Sequence, residues 1–164
     1  MPETISDTGP VLHLHEIGRL TTLATVSPLI FPSRVWDELR HRGLDEAALH
    51  RSGLSFEVSA AIHDLVPGPE TLRLQPADID VFLLAREKGF EPLVLTDDLA
   101  LRQLLESRGA TVAGSIGILI RAFAVGALSP EELATSSEAL LEESSLHLSR
   151  AFRMYVRKLI ADLE

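Results

Sequence analysis

The sequence predicts an α/β fold in which helices cover a mostly parallel central sheet. Short apolar runs alternate along the chain with segments of helical periodicity, a pattern typical of repeated strand–helix units. Such units join parallel strands through helical crossovers. The length of 164 residues is that of one domain, and 46% apolar residues are enough to form its core. We therefore expect residues 1–164 to form a single domain, with C-terminal helices in 130–163 packing on it.

The strand candidates are short runs of apolar and β-branched residues between turn-forming residues. They are residues 4–6, 28–31, 54–58, 92–96 and 111–113. Helical periodicity is found in residues 9–17, 33–42, 76–88, 97–108, 115–124, 130–142 and 146–163. Thr8 and Ser33 are the expected N-caps of the first two helices, and Gly18 the expected end of the first. The last helix is the clearest amphipathic one, with an apolar face made of Leu148, Phe152, Tyr155, Val156, Leu159 and Leu163.

The composition narrows the classes of function. The chain has no cysteine, which excludes disulfides, thiolate zinc sites and cysteine nucleophiles and fits the reducing cytoplasm. No signal-peptide pattern is seen, and the longest apolar stretch, residues 112–128, is too short and interrupted to span a membrane. The net charge of −9 argues against a nucleic-acid partner, although a bound divalent ion would reverse the field locally. Basic residues also cluster within one stretch: Arg34, Arg40, His41, Arg42, His50 and Arg51.

Acidic residues directly follow two of the predicted strands. Asp7 follows residues 4–6, and Asp97 and Asp98 follow residues 92–96. Because the carboxyl ends of parallel strands meet at one edge of a sheet, we expect these side chains to converge there. The same acids also stand at helix starts, where a plain N-cap explains each of them equally well.

Asp80 is a candidate because its predicted helix is apolar nearly all round, which indicates burial. A buried carboxylate is costly unless it is paired, and no basic residue stands three or four positions after Asp80. A metal ion would supply the missing charge; the alternative is a half-exposed residue at the helix start. Asp78 faces another way and is expected at the rim or as a helix cap.

Glu38 is ambiguous, since Arg34 and Arg42 at i−4 and i+4 would make it an ordinary surface ion pair. Together, however, the acids form an oxygen-rich set that suits Mg²⁺ or Mn²⁺. His13 and His15 stand two positions apart and form no zinc motif, so at least one is expected at the surface or in packing.

At these residues the sequence resembles the PIN domain family, and within it a subgroup similar to VapC-type toxins that was long labelled a domain of unknown function. No single motif is specific, but the ordered set follows the family over nearly the whole chain. The matching segments are residues 5–12, 16–20, 31–39, 77–85, 95–102 and 112–119. The chain departs from the subgroup in having Asp78 and Asp80 where glutamates are usual, and His13 and His15 where small residues are usual.

The resemblance implies a three-layer α/β/α fold and a divalent-metal-dependent endoribonuclease with Mg²⁺ or Mn²⁺ as cofactor. Four acids then become the expected catalytic residues: Asp7, Glu38, Asp80 and Asp98. The expected metal ligands are Asp7 as the central one, Asp80, and Asp97 or Asp98.

The substrate and partners are expected from the same hypothesis. Thr8 would line the pocket, and RNA phosphates flanking the scissile bond would contact Arg34, Arg40 or Arg42. The resemblance implies a toxin whose small antitoxin blocks the pocket, and a homodimer is expected from apolar surface near Trp36, Phe123 and the last helix.

The chemical hypothesis is that the metal lowers the pKa of a bound water and orients it in line with a phosphodiester. A receiver-like phosphotransfer domain would also gather acids around Mg²⁺. It is disfavoured because Asp7 has no adjacent acid and no lysine follows residues 111–113 closely. A catalytically silent interaction module of the same fold is the second alternative.

Overall fold

A computed structural model describes residues 2–60 and 67–163 of the chain. The strands in this part are Thr4–Ser6 (β1), Leu29–Pro32 (β2), Phe56–Ser59 (β3), Leu93–Leu95 (β4) and Val112–Ala113 (β5). The α-helices are Thr8–Glu16 (α1), Ser33–His41 (α2), Glu46–Arg51 (α3), Pro76–Glu87 (α4), Leu99–Ser107 (α5), Ser115–Ala124 (α6), Pro130–Glu142 (α7) and Arg150–Leu163 (α8). Short 3₁₀ helices cover Leu20–Val26 and Pro69–Thr71.

The strands form one sheet in the order β3-β2-β1-β4-β5, and every pairing is parallel. The central strand β1 pairs Ile5 with Ile30 on one side and with Val94 on the other. The connections β1-to-β2 and β3-to-β4 cross the sheet in opposite directions, so right-handed crossovers put α1 and α4 on opposite faces. The predicted three-layer α/β/α fold is confirmed.

The first two helices are capped differently from the prediction. Asp7, not Thr8, is the N-cap of α1, and its side chain accepts a hydrogen bond from the Thr8 backbone N–H. Ser33 is the first residue of α2 rather than its cap, because β2 runs without a break into the helix and leaves Pro32 at the cap position. Gly18 adopts a positive φ of 71° just after α1, as a helix-ending glycine does.

The last helix begins at Arg150, four residues later than predicted, and its predicted apolar face is only partly buried. It packs against α7, which in turn packs against α6. The buried residues of α8 are Val156 and Ile160, whereas Phe152 and Tyr155 are 44% and 59% exposed. Arg157 of α8 forms ion pairs with Glu138 and Glu142 on α7. None of the helices in residues 2–60 and 67–163 has the length and hydropathy needed to cross a bilayer.

Candidate functional site

The acids that follow β1 and β4 meet at one edge of the sheet. The Asp7 backbone N–H donates to the Leu95 carbonyl oxygen at 2.9 Å, which extends the β1–β4 pairing to this point. The Thr96 hydroxyl joins the two strand ends, donating to Asp7 Oδ2 at 2.8 Å and accepting from the Asp98 backbone N–H at 3.0 Å. The predicted convergence of the two strand ends is therefore what the structure shows.

Asp7 is buried, with 6% of its surface exposed, and the pKa of its carboxyl group is raised. Burial, followed by the negative charge of Asp78, raises the pKa of Asp7 to about 7. The hydrogen bonds from Thr96 and from the Thr8 backbone N–H act in the opposite direction but do not cancel these effects. A carboxyl group with such a pKa exchanges protons near neutral pH.

Asp78 is the partner of Asp7, which the sequence analysis did not foresee. Only 8% of its surface is exposed, and its negative charge acts on the carboxyl group of Asp7. Burial, then the charge of Asp98, raises the pKa of Asp78 to about 6. Its hydrogen bond from the Gln75 backbone N–H fits the predicted helix-cap role, but the predicted place at the rim was wrong.

A sequence signal for Asp78 did exist. Asp78 stands three and four positions before Val81 and Phe82, which are fully buried, so it belongs to the buried stripe of α4. Its position in the first turn also brings it to the edge of the sheet where Asp7 lies.

Asp80 lies elsewhere, beside Arg34. Its Oδ2 is 3.4 Å from Arg34 Nε, and the carboxyl group lines a small pocket with Ser33 and Ser59. Burial raises the pKa of Asp80, while the charge of Arg34 lowers it. The expected compensating charge at Asp80 comes from Arg34 on α2 rather than from a metal ion, and the side chain is 24% exposed, as in the half-exposed alternative.

Glu38 belongs to the acidic cluster rather than to a surface ion pair. The Thr8 hydroxyl donates a hydrogen bond of 2.5 Å to Glu38 Oε2. The charge of Glu38 contributes to the raised pKa values of both Asp7 and Asp78. Ion pairs from Glu38 to Arg34 or Arg42, the alternative expected from helical spacing, are absent from the described residues.

Asp97 and Asp98 have different surroundings. Asp97 accepts hydrogen bonds from the Ser115 backbone N–H and hydroxyl, at 2.7 and 2.5 Å, and its Oδ2 lies 2.7 Å from His13 Nδ1. Asp98 caps α5 through Oδ1, which accepts from the Leu101 backbone N–H, and its charge reaches Asp78. Asp98 is therefore the strand-end acid next to the cluster, and Asp97 ties α1 to the start of α6.

The predicted basic residues are divided between two places. A cavity of about 410 Å³ beside the acids is lined by Thr8, Arg34, Asp37, Glu38, His41 and Arg42. Arg40 does not line this cavity; it pairs with Asp37 at 2.6 Å and lies over the Trp36 ring. Arg34 and Arg42, but not Arg40, are thus placed to meet a substrate at the acids.

The donors suit a hard divalent cation, since the cluster of Asp7, Asp78, Asp98 and Glu38 offers only carboxylate oxygens. Within residues 2–60 and 67–163, however, no three acidic or histidine side chains stand close enough to hold an ion as they are. The residues nevertheless fit a divalent metal by the chemistry of their donors, and these four side chains would hold it.

Comparison with known proteins identifies the family and supports the fold. A family model described as the PIN domain matches residues 3–161. Among solved structures, the chain is similar to a PilT N-terminus domain protein from the archaeon Sulfolobus solfataricus P2, with 13% identity and a TM-score of 0.50. That match covers 89% of this chain and 99% of the archaeal one, and it shows the fold. No curated protein sequence matches the chain.

Proposed function

Because this chain belongs to the PIN domain family, we propose that it is a divalent-metal-dependent endoribonuclease. PIN domains are generally metal-dependent nucleases, and the choice of RNA as substrate is the finer part of the proposal. The observation that carries it is the pair of neighbouring buried carboxyl groups, Asp7 and Asp78, within electrostatic reach of Asp98 and Glu38.

The electrostatics of this pair support a cation as its natural partner. Two buried carboxylates that face each other are costly unless they are protonated or neutralised. No ion pair to Asp7 or Asp78 occurs among the described residues, in contrast to Asp80 with Arg34. A pKa of about 7 leaves Asp7 ready to exchange its proton for a metal ion at neutral pH.

We assign the metal-binding role to Asp7, Asp78 and Asp98, with Glu38 as a further ligand or as a holder of bound water. Asp78 takes the place that the sequence analysis gave to Asp80. When bound, Mg²⁺ or Mn²⁺ lowers the pKa of a water molecule and offsets negative charge on the phosphate.

The other residues of the chain position these groups and the substrate. The Thr96 hydroxyl and the Thr8 backbone N–H hold the two oxygens of Asp7, and the Thr8 hydroxyl holds Glu38. Phosphates that flank the scissile bond would contact Arg34 and Arg42 in the adjacent cavity. Such contacts fix the register of the strand without reading its sequence.

The test is cleavage of a fluorophore-labelled single-stranded RNA by the full chain in Mn²⁺, Mg²⁺ or EDTA. We expect cleavage in either metal, none in EDTA, and loss of cleavage in Asp7→Asn. Asparagine keeps the N-cap of α1, so the variant removes the charge but not the cap. Asp162→Asn, at an exposed position on α8, is the matched control and should cleave normally. Metal binding by a wild-type chain that cleaves no RNA would favour the silent interaction module instead.

We also propose that the enzyme is the toxin of a toxin–antitoxin pair. Its induced expression should then arrest bacterial growth, Asp7→Asn should not, and co-expression of the product of the adjacent open reading frame should restore growth. A homodimer remains a prediction that light scattering would test. Trp36, one basis for it, is partly buried and packs against the core, with ring centroids 6.0 Å from Phe31 and 5.0 Å from Phe56.

A further inference from the structure

A histidine–carboxylate dyad stands beside the acidic cluster and has no part in the proposed metal site. His13 Nδ1 lies 2.7 Å from Asp97 Oδ2, and the side chains of the two residues are 12% and 10% exposed. Both oxygens of Asp97 are engaged, Oδ1 by the Ser115 backbone N–H and Oδ2 by the Ser115 hydroxyl and His13. A carboxylate that binds Nδ1 fixes the tautomer and the orientation of an imidazole ring.

The second nitrogen of this ring reaches solvent. Within the described residues His13 Nε2 makes no hydrogen bond, and it is not among the buried polar atoms left without a partner. His13 lines a groove of about 920 Å³ together with Gly9, Asp97 and Asp98. His13 and the cluster acid Asp98 therefore border the same groove.

Gly9 lies against both residues of the dyad. A Cβ at this position would lie 3.4 Å from His13 Cε1 and 3.6 Å from Asp97 Cβ. Gly9 is two residues from Asp7, so the dyad packs directly on the turn that carries the central acid. The basic cavity with Arg34 and Arg42 opens beside Glu38, and the groove with His13 opens beside Asp98.

We propose that His13, oriented by Asp97, is a catalytic residue that protonates the leaving oxygen of the RNA strand; this rests on the proposed nuclease function. The water oxygen forms the new bond to phosphorus, and its proton passes to solvent. The bond from phosphorus to the leaving ribose oxygen breaks, and its electron pair stays on that oxygen. That oxygen takes the proton from Nε2 of the protonated His13 ring, which then recovers a proton from solvent.

The test compares two substrates that differ in their need for a proton donor. RNA releases a poor leaving group, an alkoxide, whereas a p-nitrophenyl phosphodiester of a nucleoside releases an aryloxide that needs no protonation. General acid catalysis contributes roughly 10²–10⁴-fold. We expect His13→Asn to lose about 10²-fold or more in kcat on RNA and less than about threefold on the aryl ester.

The side-chain amide of asparagine at position 13 can still hydrogen-bond to Asp97 as Nδ1 does. It has no proton donor at the position of Nε2. His15→Asn is the matched control, because it makes the same replacement on the same helix at an exposed position outside the groove. It should keep the wild-type activity on both substrates. Equal losses of His13→Asn on both substrates, or no loss on RNA, would overturn the proposal.

Two further measurements separate this inference from the proposed function. Asp7→Asn should lose activity on both substrates whatever His13 does, and a wild-type chain without metal-dependent activity on either would end both proposals. If His13→Asn fails to fold, wild-type rates across a series of aryl leaving groups decide the matter. A shallow dependence on leaving-group acidity supports proton donation, and a steep dependence refutes it.

Discussion

Asp7 and Asp78 are buried together at the edge of the sheet, although one follows β1 and the other lies in the first turn of α4. Burial and then the charge of Asp78 raise the pKa of Asp7 to about 7, and burial and then the charge of Asp98 raise the pKa of Asp78 to about 6. The folded protein therefore keeps protons on these two groups at pH values at which the unfolded chain has released them. Its stability consequently depends on pH.

The first prediction concerns stability against pH without metal. Between the ordinary carboxyl pKa of 3.8 and the raised values, the folded state binds more protons than the unfolded one. Stability therefore falls as the pH rises from about 4 to about 7, and it levels off above that. We expect the wild type in EDTA to melt at a higher temperature at pH 5 than at pH 8.

Asp7→Asn tests the cause of this dependence. The variant cannot ionise, so its melting temperature should depend less on pH and should exceed that of the wild type at pH 8. The difference in the free energy of unfolding between the variant and the wild type at pH 8 is expected to be on the order of a few kcal/mol, since one pKa unit corresponds to about 1.4 kcal/mol. A wild-type chain that is more stable at pH 8 than at pH 5 would show that the pair is not buried as described.

The second prediction is that Mn²⁺ stabilises the wild type, because it binds the folded state and not the unfolded chain. At a hundredfold excess over its dissociation constant the gain is about 2.7 kcal/mol. Protons compete for the same carboxylates, so the increase in melting temperature should be larger at pH 8 than at pH 6. Thermal melts in rising Mn²⁺ measure this, with Asp7→Asn as the variant that should not respond. No response of the wild type up to millimolar Mn²⁺ would rule out the metal site.

The third prediction separates Asp78 from Asp80. If Asp78 is a ligand, Asp78→Asn abolishes cleavage and the stabilisation by Mn²⁺. Asp80→Asn leaves the metal response in place and changes activity only modestly, through the freed Arg34. Calorimetric titration of Mn²⁺ into both variants, at a temperature at which both are folded, measures the metal binding of each. Loss of metal binding in Asp80→Asn alone would restore the assignment that the sequence analysis made.

Sequence reasoning was most successful where the chain itself fixes the geometry. Parallel strands put Asp7 and Asp98 together, because the ends of adjacent strands must meet, and local periodicity was enough to predict this. Sequence reasoning failed for Asp78 and Asp80, because their surroundings depend on packing between α4 and α2. The charge that neutralises Asp80 comes from Arg34, far away in sequence, and helical spacing alone contains no information about it.

The same distinction explains Asp97. Its place after a strand made it a candidate metal ligand, and its hydrogen bonds to Ser115 and His13 occupy it instead. Those partners stand on α6 and α1, so only the tertiary structure distinguishes Asp97 from Asp98.

The fourth prediction concerns Gly114, which leaves room for the Asp97 carboxylate and its hydrogen bonds from Ser115. A Cβ at Gly114 would lie 2.6 Å from Asp97 Oδ1 and 3.3 Å from the Thr96 carbonyl oxygen. The carboxylate cannot retreat without losing its bond from the Ser115 backbone N–H, so Gly114→Ala should destabilise the protein by about 1–3 kcal/mol. Gly117→Ala is the matched control, because its new Cβ would meet only Ala113 Cβ, at an ordinary 3.5 Å.

Within α6 the control replacement favours the helix, so it should be neutral or stabilising by up to about 1 kcal/mol. Urea denaturation of the two variants beside the wild type measures both effects. Because Asp97 orients His13, Gly114→Ala should also reduce the activity on RNA more than on the p-nitrophenyl ester. A Gly114→Ala variant as stable as Gly117→Ala would mean that the Asp97 carboxylate can move away. Asp97 would then not be held rigidly enough to orient the His13 ring.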